Sequence, residues 1–170
     1  MALFLDSHVH KIDRKGRVSV PAQFRATLMS QSFAGVIAFP SFRENCDAIE
    51  ACGIDRMDQL SESLDTLDPF SDEQNDMAAV LFGAAVQMPF DGEGRIILPG
   101  HLIAGAGITD QTVFVGCGQT FQIWAPDAYA EFAVAARARA REARTEMRLK
   151  RPGSDGPGSG GPGGDGNERR

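Results

Sequence analysis

Two arginines, Arg17 and Arg95, sit in the same local setting. Asp13-Arg-Lys-Gly-Arg-Val-Ser-Val-Pro21 returns as Asp91-Gly-Glu-Gly-Arg-Ile-Ile-Leu-Pro99, a shared D-x-x-G-R-φ-x-φ-P pattern (φ apolar) shifted by 78 residues. A guanidinium is a planar, permanently charged fork that can bond guanine O6 and N7 together or clamp a phosphate. Arg14 and Lys15 flank the first glycine turn and Lys11 precedes it, cations suited to phosphate contacts that set position rather than read sequence. The second copy has Gly92-Glu93 where the first has Arg14-Lys15, so the first copy is expected to dominate any contact with an anionic partner.

Other chemistry is weaker on the same residues. Asp13 and Asp91 could be catalytic carboxylates, but an aspartate opening a turn commonly bonds nearby backbone amides, or here orients the motif arginine. His8-Val-His10 places two imidazoles on one strand face. No third ligand follows at a metal-site spacing, so an exposed strand face is expected rather than a metal. Cys117 lies in Gly116-Cys-Gly118 with no acid–base partner in sight, and a tight turn explains it. The odd set Cys46, Cys52 and Cys117 lacks C-x-x-C spacing, which fits reduced, buried thiols. No nucleophile elbow, phosphate loop or metal-binding helix motif is present. The expectation is a protein with no catalytic residues, no cofactor and no small-molecule substrate.

The arginines must be carried by hairpins. Asp-x-x-Gly between alternating apolar runs reads as a turn whose positive backbone φ is supplied by Gly16 or Gly94. Val18 and Val20, or Ile96 and Leu98, then share one strand face, and Arg17 and Ser19 point the other way. Pro21 and Pro99 end the strand and open a helix. Strand-like runs precede each copy (7–12 and 85–90) and follow it (35–39 and 112–115), and a second apolar strand closes each half around 46–49 and 121–124. The order is ββαββ then helix, twice. Because a lone hairpin is marginal in water, two interlocked ones are expected to close a small barrel.

Between the halves, Ile54, Met57, Leu60, Leu64 and Leu67 recur at helical spacing, and Asp68-Pro69 stops the run. Ser71-Asp-Glu-Gln74 fits a capping box for a second helix delivering Met77, Val80, Leu81 and Ala84. A last helix opens at Ala125-Pro126-Asp127 and runs to about Leu149, with Tyr129, Phe132, Ala136, Ala140, Ala143 and Met147 on one stripe and arginines beside it. The expected organisation is 1–52 first repeat, 53–84 helical connector, 85–125 second repeat, 126–150 C-terminal helix, and a Gly/Pro/Ser-rich disordered tail at 151–170.

The net charge of −6 argues against an anionic partner until its distribution is read. From His8 to Arg25 five basic residues face one acid, whereas from Glu44 to Asp76 eleven acids face Arg56 alone. Segregated charge makes overall pI a poor guide. The acidic stretch reads as a solvated linker turned away from DNA. Arg137, Arg139, Arg141 and Arg144 read first as a solvated helix face, and second as phosphate or subunit contacts. No run of about 18 apolar residues occurs, and residues 1–6 lack the flank and length of a signal peptide. A soluble, cytosolic protein is expected.

The two motif copies, with the connecting helices and Phe121-Gln-Ile-Trp124, resemble the MraZ family, whose halves are similar to swapped-hairpin DNA-binding modules of the AbrB and MazE kind. The resemblance covers about residues 1–148 and implies an α+β, β-rich fold: a duplicated, swapped-hairpin, AbrB-like double-ψ-type small barrel with connecting and C-terminal helices. It further implies a homo-oligomeric ring, nucleoid-associated, that binds tandem promoter repeats in double-stranded DNA and represses or tunes the division and cell-wall gene cluster. Arg17 and Arg95 are the DNA contacts it implies. An antitoxin-like or scaffold protein-interaction module on the same fold is the alternative, since folds host many functions.

Overall fold

A computed structural model describes residues 2–144; the far end of the C-terminal helix and the tail expected at 151–170 lie outside the described residues. The element order is β1 (Ser7–Lys11), β2 (Arg17–Ser19), α1 (Ala22–Met29), β3 (Gly35–Pro40), β4 (Ile49–Cys52), α2 (Ile54–Leu64), α3 (Asp72–Ala78), a π-helical turn (Ala79–Gly83), β5 (Val86–Pro89), β6 (Arg95–Ile97), α4 (Gly100–Gly105), β7 (Gln111–Gly116), β8 (Phe121–Trp124) and α5 (Pro126–Ala143). The ββαββ-helix order therefore occurs twice.

The fold is mixed α+β and rich in strands, arranged as an open six-stranded antiparallel sheet ordered β1-β7-β8-β4-β3-β5 and a separate two-stranded ribbon, β2-β6. The sheet is not closed into the barrel expected from interlocked hairpins. Its two edges are β1 and β5, the first strands of the two repeats, and within the first hairpin the Ile12–Val18 bridge is the one pairing described between the arms. The strands bond across the repeats instead: β1 to β7, β5 to β3, and β2 to β6. The central pairs are Val18 with Ile96 and Glu50 with Gln122, so an approximate twofold axis relating the halves runs through both.

Burial explains why the central strands lack alternation. Strands covered on both faces read as continuous apolar runs, and β4 and β8 are buried throughout. On the inner face, Phe24, Leu28, Ile49, Phe114, Phe121 and Ile123 meet Val18, Val20, Ile96 and Leu98 of the ribbon in one core. On the outer face, Ile37, Phe39 and Cys52 pack under Met57 and Leu64 of α2, while Val113 and Trp124 pack under Tyr129 and Phe132 of α5.

The last strand of the first half begins three residues later than the expected 46–49. Asn45 takes a positive φ of 57° and Ser41 donates to the Ala48 carbonyl, so 41–48 forms a loop. Glu50, counted in the acidic stretch read as solvated, is instead buried and paired. Its Oε1 accepts from Ser41 Oγ at 3.0 Å and Gln122 Nε2 at 3.2 Å, and Trp124 Nε1 donates to Gln122 Oε1 at 2.9 Å. The connector helix stops at Leu64, three residues short of the periodic pattern. The following helix starts where the capping signal placed it, with Gln74 N donating to Ser71 Oγ.

Candidate nucleic-acid interface

Each motif builds the same turn. In the first, Gly16 N donates to the Asp13 carbonyl and Asp13 N to the Arg17 carbonyl; in the second, Gly94 N donates to the Asp91 carbonyl and Asp91 N to the Arg95 carbonyl. Gly16 and Gly94 have φ of +82° and +74°, the left-handed region that glycine enters without a Cβ penalty. Each glycine carbonyl then accepts from the opposite ribbon strand: Leu98 N to Gly16 O at 2.8 Å, and Val20 N to Gly94 O at 3.3 Å. The turns are thus tied across the repeats.

The aspartates divide their two oxygens. Asp13 Oδ1 accepts the Lys15 and Arg17 amides, and Oδ2 accepts Arg17 Nε at 2.6 Å. Asp91 Oδ1 accepts the Glu93 and Arg95 amides, and Oδ2 accepts Arg95 Nε at 2.9 Å. These bonds, the one from the motif arginine's amide first, hold both carboxyls below the usual carboxylate range because they favour the charged form. Bonding at Nε fixes the guanidinium plane through its inner edge. The terminal nitrogens are the part of the fork that makes a bidentate contact.

The copies differ beyond this shared frame. Arg95 Nη2 also lies 3.4 Å from Glu93 Oε2, and its bond to Asp91, with the Asp91 and Glu93 charges, raises its pKa further. Among the described residues Arg17 has no second carboxylate partner. The ribbon register sets Arg17 opposite Ile97 and Arg95 opposite Ser19. One end of the ribbon therefore gathers Arg14, Lys15, Arg17 and Ile97, and the other gathers Gly92, Glu93, Arg95 and Ser19. Lys11 ends β1, exposed.

Arg25 is a cation that sequence reasoning counted but gave no place. It lies in the first turn of α1 and packs over the second motif's turn, so that a methyl on Gly94 would overlap its guanidinium. Its Nε is shut from solvent without a hydrogen-bond partner, and among the described residues it forms no ion pair. The equivalent contact at Gly16 is made by Ile103 of α4. No local signal announces this, because the contact joins residues from different repeats.

His8 and His10 do not lie on an exposed face. Both are half-buried and meet Phe24 and Phe114 edge-on, at ring separations of 5.6 and 5.7 Å. Burial lowers the His10 pKa, with His8 and Arg25 adding repulsion. No cluster of three or more metal-ligating side chains occurs among the described residues. Cys52 is buried and its thiol is pushed up to about 12 by desolvation. Cys46 is half-buried, but Cys117 is exposed rather than buried as expected, because it sits at the rim of the turn after β7. No helix among the described residues is long and apolar enough to cross a membrane.

A sheet and ribbon built by two interleaved repeats, each presenting a turn-held arginine, define a class of duplicated hairpin proteins. Comparison with known proteins shows its family. The family model described as "MraZ protein, putative antitoxin-like" matches residues 81–151. The curated protein named Transcriptional regulator MraZ from Rickettsia bellii (strain OSU 85-389) is 47% identical over 149 residues, spanning 87% of this chain and 98% of the relative. Those of Rickettsia rickettsii (strain Sheila Smith) and Rickettsia felis (strain ATCC VR-1525 / URRWXCal2) are 48% and 46% identical over 148 residues, with the same coverage of both chains. The chain belongs to the MraZ family, whose curated members carry the name of transcriptional regulators.

Proposed function

We propose that this chain is a sequence-specific DNA-binding transcriptional regulator, a repressor of the division and cell-wall gene cluster that binds tandem promoter repeats. The observation that carries this reading is the pair of arginines on one ribbon, each locked at Nε by a motif aspartate. A β-ribbon is among the elements that enter the major groove, and a well-placed arginine fork is worth about 1–3 kcal/mol of base discrimination. Arg14, Lys15 and Lys11 serve as phosphate contacts around the Arg17 end. Asp13, Gly16, Asp91 and Gly94 hold the turns. The first motif dominates, because Glu93 draws on the Arg95 fork while Arg17 keeps one carboxylate partner.

On this reading the cross-repeat pairing is the swapped-hairpin, double-ψ-type exchange carried out within one chain. The protein acts in the cytoplasm on the nucleoid as a homo-oligomeric ring, without cofactor or small-molecule substrate. A ring suits tandem sites, since linked modules raise one another's effective concentration and multiply affinity without new kinds of contact.

The test is binding of wild type, Arg17→Ala and Arg95→Ala to the protein's own upstream promoter fragment and to scrambled DNA across a salt series. Specific binding lost in Arg17→Ala and only weakened in Arg95→Ala is expected. Equal losses would remove the ranking of the motifs. Equal, weak and salt-sensitive binding of wild type to both DNAs would sink the reading. It would advance the alternative, an antitoxin-like or scaffold protein-interaction module on the same fold.

A further inference from the structure

On the ribbon's outer face stand four side chains: Arg17 and Ser19 from β2, and Arg95 and Ile97 from β6. The first and third are twofold equivalents, and so are the second and fourth; Ser19 and Ile97 are where the face breaks its symmetry. Ile97 is 60% exposed, whereas its neighbours Ile96 and Leu98 are fully buried. A β-branched apolar residue exposed on an otherwise polar ribbon gains nothing from the core. Its register partner is Arg17, and directly opposed residues hold their Cβ atoms about 4.5–5.5 Å apart. The second repeat thus lends an apolar group to the more basic end of the ribbon, beside Arg14, Lys15 and Arg17.

In the major groove the apolar feature of a base pair is the thymine C5 methyl, and aliphatic side chains contact it. Resting on the DNA-binding reading above, we propose that Ile97 is a specificity-determining residue that packs on the methyl of a thymine adjacent to the base pair read by Arg17. The two ends of the ribbon then read different sequences. One takes a guanine with a neighbouring thymine through Arg17 and Ile97, and the other takes a guanine without that requirement through Arg95 and Ser19. An asymmetric site follows from a nearly symmetric fold.

The experiment uses the full chain and a duplex that wild type enriches from a random library, with each thymine replaced singly by deoxyuridine to delete one methyl. Burial of one methyl is worth about 0.8 kcal/mol, so wild type is expected to lose affinity about fourfold at one thymine of each bound repeat. Ile97→Ser, which sets a serine opposite the arginine at both ends, is expected to bind the thymine and deoxyuridine duplexes equally, with oligomer size and melting temperature unchanged. The proposal is overturned if no single methyl matters to wild type, if Ile97→Ser keeps the same sensitivity, or if Ile97→Ser alters oligomer size. Arg17→Ala separates the two levels. Loss of specific binding in that variant, with no methyl effect in wild type, removes the Ile97 role alone. Failure of wild type to enrich any sequence removes the DNA reading and the proposal with it, whereas specific binding that Arg17→Ala does not weaken leaves the DNA reading and overturns the proposal, which places Ile97 beside a base pair read by Arg17.

Discussion

Replacing Gly16 with alanine tests how the repeats are joined, and Gly107 supplies the control. Both glycines have positive φ, +82° and +64°, and an L-residue in that region costs about 1–2 kcal/mol. They differ in what surrounds them. A methyl on Gly107 meets no atom within 4 Å, whereas one on Gly16 would overlap the Leu98 carbonyl oxygen of the opposite ribbon strand. That obstacle is backbone, fixed by the bond from Leu98 N to Gly16 O, so relief requires the ribbon to shift. Forcing extra volume into a packed site costs about 1–3 kcal/mol. Gly107→Ala should therefore lose about 1–2 kcal/mol and Gly16→Ala about 2–5 kcal/mol, measured by urea unfolding at equal m-values. On the proposed DNA-binding reading, Gly16→Ala should also lose promoter binding beyond its stability loss, because the turn that holds Arg17 moves with the ribbon. If the two variants are equally stable, the Gly16 turn is not held against the second repeat and the account of the joint fails.

Two further outcomes follow from the buried polar groups. The lowered His10 pKa means that the unfolded chain takes up its proton more readily than the folded one. Stability should therefore be complete above the ordinary value of 6.5 and fall as pH drops from there toward the folded value. Urea unfolding at pH 5.5 and 7.5 should show this, with a smaller difference in His10→Gln; an unchanged difference would assign the slope to other groups. Glu50→Ala would strip the Gln122 amide and the Ser41 hydroxyl of their shared acceptor. An unsatisfied buried group costs about 1–3 kcal/mol, and a thermal shift within error of wild type would show that water replaces the carboxylate.

Local chemistry made the turns and their contents legible in the sequence, and non-local pairing did not follow from it. The Asp-x-x-Gly-Arg pattern specifies its own hydrogen bonds within five residues, and alternation alone sends Val18 and Val20 inward and Arg17 outward. The capping serine at Ser71 is equally local. By contrast, which strand lies beside β1 depends on residues a hundred positions away, so the open sheet could not be told from a closed barrel. Glu50 departs from the solvated reading of its acidic stretch because one of its partners, Gln122, is not local to it and the other, Ser41, was not predictable. The histidines of β1 misled for the same reason, since the half-buried setting is created by Phe24 and Phe114. Ile97 was visible as the outward position of its motif, but its significance appears only when the register sets it opposite Arg17.

The exchange of strands between the repeats governs how the chain reaches this state. Thr112 Oγ1 donates to the carbonyl of His10, 102 positions earlier, and Lys11 pairs with Gln111. While the chain is still on the ribosome, β1 and β2 have been made long before β7 and β6 exist, and they emerge as unpaired edges. The β3–β4 and β7–β8 hairpins lie within their own repeats, but the ladders of β1, β5 and the ribbon close only across them, and contacts that close so late in sequence raise contact order and slow folding. An unpaired β1 edge is a template for another strand, so the time between the synthesis of β1 and that of β7 is the interval in which the chain is open to wrong pairing.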